Sequence, residues 1–275
     1  MKFDMSRAWN DATALLGSNR DVLLIVAGVF FFLPYLAMTL LLPNYATSLE
    51  TSAANPADVD KAFEQMVEVY GQIWWALLLV LIIQGIGMLA VLALLTDRSR
   101  PTVGEAIGIG AKGLPSYIGT QLLQSLLIVL IIAIPFFMAA SGAVLIGAIL
   151  SLVALVACIY LMVKFSLTSP VIGIDRLLNP IAVLQRSWRL TKGNSVRLFL
   201  FYLLLLIAAT VLSIVIGLVV GLIAALAGDG GALIISGVLN ALLNMIFVVV
   251  LLAVLAAVHR QLAGPSAAAV SETFE

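Results

Sequence analysis

The chain has 275 residues, of which 63% are hydrophobic and only 10% charged, and its mean hydropathy is +1.18. Because a soluble globular domain carries roughly 25% charged residues, the composition indicates an integral membrane protein. Fourteen Lys and Arg residues balance fourteen Asp and Glu residues, and such a chain is not expected to bind nucleic acid. One cysteine, Cys158, and one histidine, His259, lie far apart in the sequence, so we expect no Cys/His metal site.

Six apolar segments are long enough to cross a membrane, which takes roughly 20 residues. They lie at about residues 22–42, 73–95, 117–138, 143–164, 198–227 and 232–258. The first is longer than the apolar part of a secretory signal, so we expect it to remain as an anchor. Pro135 and the pair Ser141 and Gly142 predict the turn between the third and fourth segments. The chain therefore reads as one all-α six-span domain over residues 1–262, with a disordered cytoplasmic tail at 263–275.

The basic residues predict the orientation of these segments. Thirteen of the fourteen Lys and Arg residues flank the segments on one side, and only Lys61 lies on the other. Because loops rich in Lys and Arg stay inside, both termini are expected to be cytoplasmic in a bacterial inner membrane. The external stretch 43–72 carries five acids and reads as a short helix that Asn55 caps and Pro56 begins. We interpret it as a helix lying over the membrane edge, with a partner surface as the alternative.

A weak threefold repeat precedes the first, third and fifth segments. Each copy is an amphipathic stretch that ends in a glycine, at Gly17, Gly113 and Gly193, and the second and third copies begin at Pro101 and Pro180. Proline at a helix start and glycine just past its end are the expected capping residues. The predicted unit is a short cytoplasmic interfacial helix followed by a transmembrane hairpin, repeated three times about an axis along the membrane normal.

The third copy, "NPIAVLQRSWRLTKGN", is basic. Its helical spacing separates an apolar stripe, Ile181, Leu184 and Trp188, from a polar side with Gln185, Arg189 and Lys192, which predicts a helix lying in the membrane interface. Cations there face the anionic inner leaflet, where each contributes on the order of 1 kcal/mol. The alternative is that they only fix topology. The candidate lipid-headgroup contacts are Arg186, Arg189, Lys192, Arg197 and Trp188.

The middles of the predicted spans contain no Asp, Glu, Lys or Arg. Ion-coupled transporters and proton relays commonly carry such residues, and no nucleophile with a positioned base is evident, so we expect neither an enzyme nor a cofactor. Uncharged polar residues do occur within the spans. They either line a cavity or form interhelical hydrogen bonds, and the candidates are Gln84, Gln121, Asn240 and Asn244.

The stretch "LTSPVIGIDRLLNPIAVLQRSWRLTKGNSVRLF" resembles the membrane domain of YciC-like inner-membrane proteins and of related glycerophosphoryl diester phosphodiesterase membrane domains. The matching positions are Pro170, Asp175, Pro180, Ala182, Ser187, Trp188, Leu190, Thr191 and Gly193. The acidic position is more often Glu in that family. The resemblance implies a six-span membrane module that places a partner near lipid. It implies no catalytic residues. In family members that are fused to a phosphodiesterase, hydrolysis belongs to that separate soluble domain.

These observations lead to two function hypotheses. The first is a non-enzymatic membrane module that contacts anionic lipid, or an unidentified membrane or cytoplasmic protein, through its basic interfacial helices. The second is a channel or uncoupled transporter for a small or lipid-like substrate. Convergence of the intramembrane polar residues on one cavity would favour the second hypothesis.

Overall fold

The computed structural model describes residues 2–41, 59–96, 101–226 and 228–264, and every regular element within these ranges is a helix. The elements are α1 (Met5–Ala27), a π-helical turn (Gly28–Phe32), α2 (Leu33–Leu41), α3 (Val59–Thr96), α4 (Val103–Ala140), α5 (Val144–Lys164), α6 (Thr168–Gly173), α7 (Pro180–Thr191), α8 (Ser195–Leu226) and α9 (Gly228–Ala263).

Six helical stretches in the described part of the chain are long and apolar enough to cross a membrane. They are Met5–Leu40, Tyr70–Leu95, Val103–Ala140, Val144–Gly173, Ser195–Ile223 and Gly231–Ala263. Helices suit this role because a bilayer offers no water, so every backbone polar group must be satisfied within the segment. The predicted class, an all-α polytopic membrane protein with six spans, is confirmed.

The predicted surface helices agree with the structure only in part. The first copy does not stop at Gly17; the helix continues and bends at Asn19, where φ is −125° and ψ is 15°. The stop predicted at Gly113 is wrong, because Gly113 lies inside α4 and packs closely against Leu89 and Ile172. The third copy agrees with the prediction: α7 ends at Thr191, and Gly193 follows with a φ of +82° that favours glycine.

Two further predicted boundaries, one in α3 and one between α4 and α5, also differ from the structure. α4 runs through Pro135 to Ala140, so that only Ser141 and Gly142, which has a φ of +91°, form the turn to α5. The acidic stretch does not form a separate helix from Val59 onward, since α3 continues from there into the second span. Its predicted cap at Asn55 and Pro56 lies outside the described residues, as does the tail from residue 265.

The buried core is concentrated at one end of the bundle, where α1, the last turns of α3 and the last turns of α9 pack together. Within its most apolar 18 residues, the α9 span is 44% buried, whereas the α8 span is only 6% buried. α9 is therefore central, and α8 presents apolar surface outward. We call the packed end the basic end, because Arg189, Lys192 and Arg197 are exposed there.

Candidate functional site

Helix α7 lies across the basic end and contacts α4, α5, α6 and α9. Asn179 begins it, because its side-chain oxygen accepts hydrogen bonds from the backbone N–H groups of Ile181, at 3.0 Å, and Ala182, at 3.3 Å. Pro180 occupies the first helical turn. Proline is favoured there because the backbone N–H that it lacks would have no partner within the helix. The local sequence therefore fixes where this helix starts.

α7 has two apolar faces, and sequence analysis recognised only one. Val183 is fully buried and Leu190 is 9% exposed, so this face packs against the protein. The predicted stripe points away from the bundle, with Ile181 60% exposed and Trp188 37% exposed. The outward stripe is next to the exposed Arg189, as an interfacial helix requires.

Buried hydroxyl groups attach α7 to the end of α5. The Ser187 hydroxyl donates a hydrogen bond of 2.8 Å to the backbone carbonyl of Lys164, and the Thr191 hydroxyl lies 3.5 Å from the same oxygen. Both hydroxyl residues are completely buried. Since a buried carbonyl without a partner is costly, these contacts hold α7 at a fixed position.

Aromatic rings surround the Lys164 ammonium. Its Nζ atom lies 5.0 Å from the Trp188 ring centroid and 5.4 Å from the Tyr160 ring centroid, and these two rings pack edge to face at 5.8 Å. Lys164 is 3% exposed, and no carboxylate among the described residues lies within ion-pair distance of it. Cation–π attraction stabilises the ammonium, and its positive charge is not neutralised by a described acid.

Asp175, in the segment between α6 and α7, connects α7 to α9. Its Oδ2 atom lies 3.2 Å from Arg186 Nε, and its Oδ1 atom lies 3.3 Å from His259 Nε2. The contact with His259 is long and not aligned as a hydrogen bond. Burial raises the pKa of Asp175, but His259 and Arg186 more than offset it, so the pKa lies below its ordinary value.

The amino terminus is bound to the same end of the bundle. The Phe3 N–H donates to Asn194 Oδ1 at 2.9 Å, and Gln261 Nε2 donates to the Asp4 carbonyl at 3.3 Å. These contacts join the start of α1 to the α7–α8 junction and to the end of α9. At the basic end, hydrogen bonds and ion pairs therefore connect several helices in one polar layer.

The predicted lipid contacts separate into two groups. Arg186 is directed to Asp175 rather than to solvent and is half-buried. Arg189, Lys192 and Arg197 are exposed, and no carboxylate of a described residue lies within ion-pair distance of them. The three exposed cations are therefore the ones available to an anionic ligand.

The intramembrane polar candidates do not form one described site. Gln121 and Asn240 are exposed, and Gln84 and Asn244 are half-buried. None of the four side chains forms a hydrogen bond with another described residue. One side-chain hydrogen bond between helices comes instead from Gln124, whose Nε2 donates to Thr168 Oγ1 at 3.3 Å. Within the described ranges, no group of His, Cys, Asp and Glu residues is arranged to hold a metal ion.

Three cavities that are lined by described residues lie near the basic end. The first, of about 450 Å³, is lined by Phe165 and by Leu184, Gln185, Trp188 and Arg189 of α7. The second lies between α5 and α8 and has a volume of about 310 Å³. The third, of about 580 Å³, lies between α5, α8 and α9. None of the four predicted intramembrane polar residues lines any of these cavities.

The fold and this polar layer define a polytopic α-helical membrane protein with an amphipathic helix attached to one end. Comparison of the chain with protein-family models, with curated proteins and with solved structures gives no match.

Proposed function

We propose that the protein is a non-enzymatic module of the bacterial inner membrane that binds anionic phospholipid through α7, with both termini cytoplasmic. The observation that carries this proposal is the outward face of α7, on which Ile181 and Trp188 are exposed beside Arg189. An apolar stripe next to unpaired cations is suited to the boundary between acyl chains and anionic headgroups. The resemblance to YciC-like membrane domains, through Trp188 and its neighbours, is compatible with this role.

The attachment of α7 supports the same proposal. Val183, Ser187 and Leu190 already fix the helix to the bundle, so lipid binding does not require the helix to fold or to insert. Preorganisation of this kind reduces the entropy lost on binding. Gln84, Gln121, Asn240 and Asn244 line none of the three cavities described above, so these cavities do not favour the transport alternative.

The proposal predicts that a triple variant of the exposed cations in and just after α7, Arg189→Gln, Lys192→Gln and Arg197→Gln (the α7 triple variant), loses affinity for anionic lipid. If each of the three cations contributes on the order of 1 kcal/mol, binding of dioleoyl phosphatidylglycerol weakens roughly 100-fold. Binding of zwitterionic phosphatidylethanolamine does not change. The measurement is a native mass spectrometry titration in mild detergent. Arg186 is left in place, because its loss would leave Asp175 without one of its two partners.

A matched control removes three other exposed cations that are predicted to lie on the same membrane side, by Arg7→Gln, Arg20→Gln and Lys112→Gln. It reduces the net charge equally, so a similar loss in both triple variants would indicate non-specific attraction. Unchanged affinity in the α7 triple variant would contradict the proposed function.

A further inference from the structure

Two of the cavities are adjacent on the outside of the bundle, and together we call them the groove. The cavity between α5 and α8 and the cavity that reaches α9 share Ile159, Val163 and Phe199 as lining residues. Along α8 the lining extends from Ser195 to Leu206, which at 1.5 Å per residue is about 16 Å. The hydrocarbon core of a bilayer is about 30 Å thick, so the groove is about as long as one leaflet.

The walls of the groove are almost entirely hydrocarbon. They include Met162, Leu203, Leu206, Phe247, Leu251 and Leu255. If the groove were empty, the side chains that line it would have no dispersion contacts on the side that faces the gap. Because the groove is lined by exposed residues of membrane-spanning helices, such as Leu206, the molecule that meets it is a lipid, and an acyl chain matches its length.

The end of the groove at the basic end meets the cations of the α7 region. Tyr160 and Ser195 line this end, and Lys192 is exposed three residues before Ser195. The Tyr160 ring is also in contact with the Lys164 ammonium, which has no carboxylate partner among the described residues. A cation held in a low-dielectric surrounding raises the local positive potential, and an anionic phosphate is complementary to it.

We propose that this groove and the α7–α8 junction form one site for a single anionic phospholipid. One acyl chain lies between α5, α8 and α9, and the phosphate lies beside Lys192 and Trp188. This inference rests on the proposed function and deepens it, because the protein then holds an individual lipid by its chain as well as by its headgroup. Selectivity for anionic lipid comes from the net negative charge of the headgroup, because the exposed cations repel the ammonium group of a zwitterionic headgroup, and the shape of the groove retains the chain.

The first test places a bulky side chain in the groove at a residue that is already partly exposed. Ile159 is 37% exposed and lines both cavities, so Ile159→Trp obstructs the chain without disturbing the core. Ile149→Trp makes the same change on the same helix at a residue that is 56% exposed and lines neither cavity. We expect Ile159→Trp to weaken phosphatidylglycerol binding about tenfold and Ile149→Trp to leave it unchanged.

A second measurement does not depend on any substitution. Wild-type protein is irradiated with phosphatidylglycerol that carries a diazirine in one acyl chain, and the labelled peptides are mapped. Labels concentrated on residues 199–206 and 247–255 support the inference. Labels spread equally over the outer surface of α4 overturn it.

The outcomes separate the two proposals. If Ile159→Trp and Ile149→Trp both bind like the wild type while the α7 triple variant loses affinity, the lipid lies on the surface helix and the groove inference is overturned. If the α7 triple variant also binds like the wild type, the proposed function is overturned with it.

Discussion

Replacing Gly110 by alanine is expected to force α3 and α4 apart and to lower the free energy of unfolding by about 3 kcal/mol. A Cβ atom at this position would collide with the backbone carbonyl oxygen of Ile86 and would come within 3.3 Å of the Ala90 nitrogen. A backbone cannot rotate out of the way as a flexible side chain can, so the two helices must separate. Small residues allow this close approach of membrane helices.

Gly108→Ala provides the control, because it lies on the same helix and a Cβ atom there meets nothing within 4 Å. It should raise stability by roughly 0.5–1 kcal/mol, since alanine loses less backbone entropy than glycine in a helix. The measurement is reversible unfolding of both variants in mixed micelles. Equal stability of the two variants would contradict the α3–α4 packing described here.

Asp175→Asn is expected to lower the free energy of unfolding by about 2 kcal/mol at neutral pH. The substitution leaves the Arg186 guanidinium without its carboxylate and removes the carboxylate that faces His259, which is only 2% exposed. Asp21→Asn is the matched control. The Asp21 carboxylate faces Arg20 at 3.6 Å with both side chains largely exposed, and such a pair contributes little.

The stabilisation that the Asp175 carboxylate provides is also expected to depend on pH. Because the folded state lowers the pKa of Asp175, its contribution is fully present above the ordinary value of 3.8. It is lost as the pH falls through the lower folded value, where the native carboxylate takes up a proton. The stability difference between wild type and Asp175→Asn should therefore shrink below about pH 4. A difference that is the same at pH 3 and pH 7 would show that the charge of Asp175 does not stabilise the fold.

Hydropathy predicted the six spans because the bilayer admits few backbone structures. Pro180 and Gly193 also located α7, since each acts within one turn of the helix end that it marks. Gly113 shows the limit of such local reasoning. A glycine can end a helix or admit a neighbouring side chain, and only the packing of Leu89 and Ile172 distinguishes the two.

The polar layer could not be predicted for a similar reason. His259 appeared as an isolated residue at the end of the last span, and its contact with Asp175 joins segments that are distant in the sequence. The inward face of α7 was missed because Val183 and Leu190 are interspersed with the outward stripe in a helix of 12 residues. The acid at Asp175, which the resemblance singled out, was the one available signal that Arg186 has an internal partner.

The central claim is that the basic end selects anionic phospholipid from the membrane in which the protein resides. The most direct measurement extracts the lipids that co-purify with the wild-type protein in a mild detergent and compares their headgroups with those of the source membrane. We expect anionic phospholipid to be several-fold enriched and to approach one retained molecule per chain. A retained lipid mixture with the same headgroup composition as the bulk membrane would contradict it.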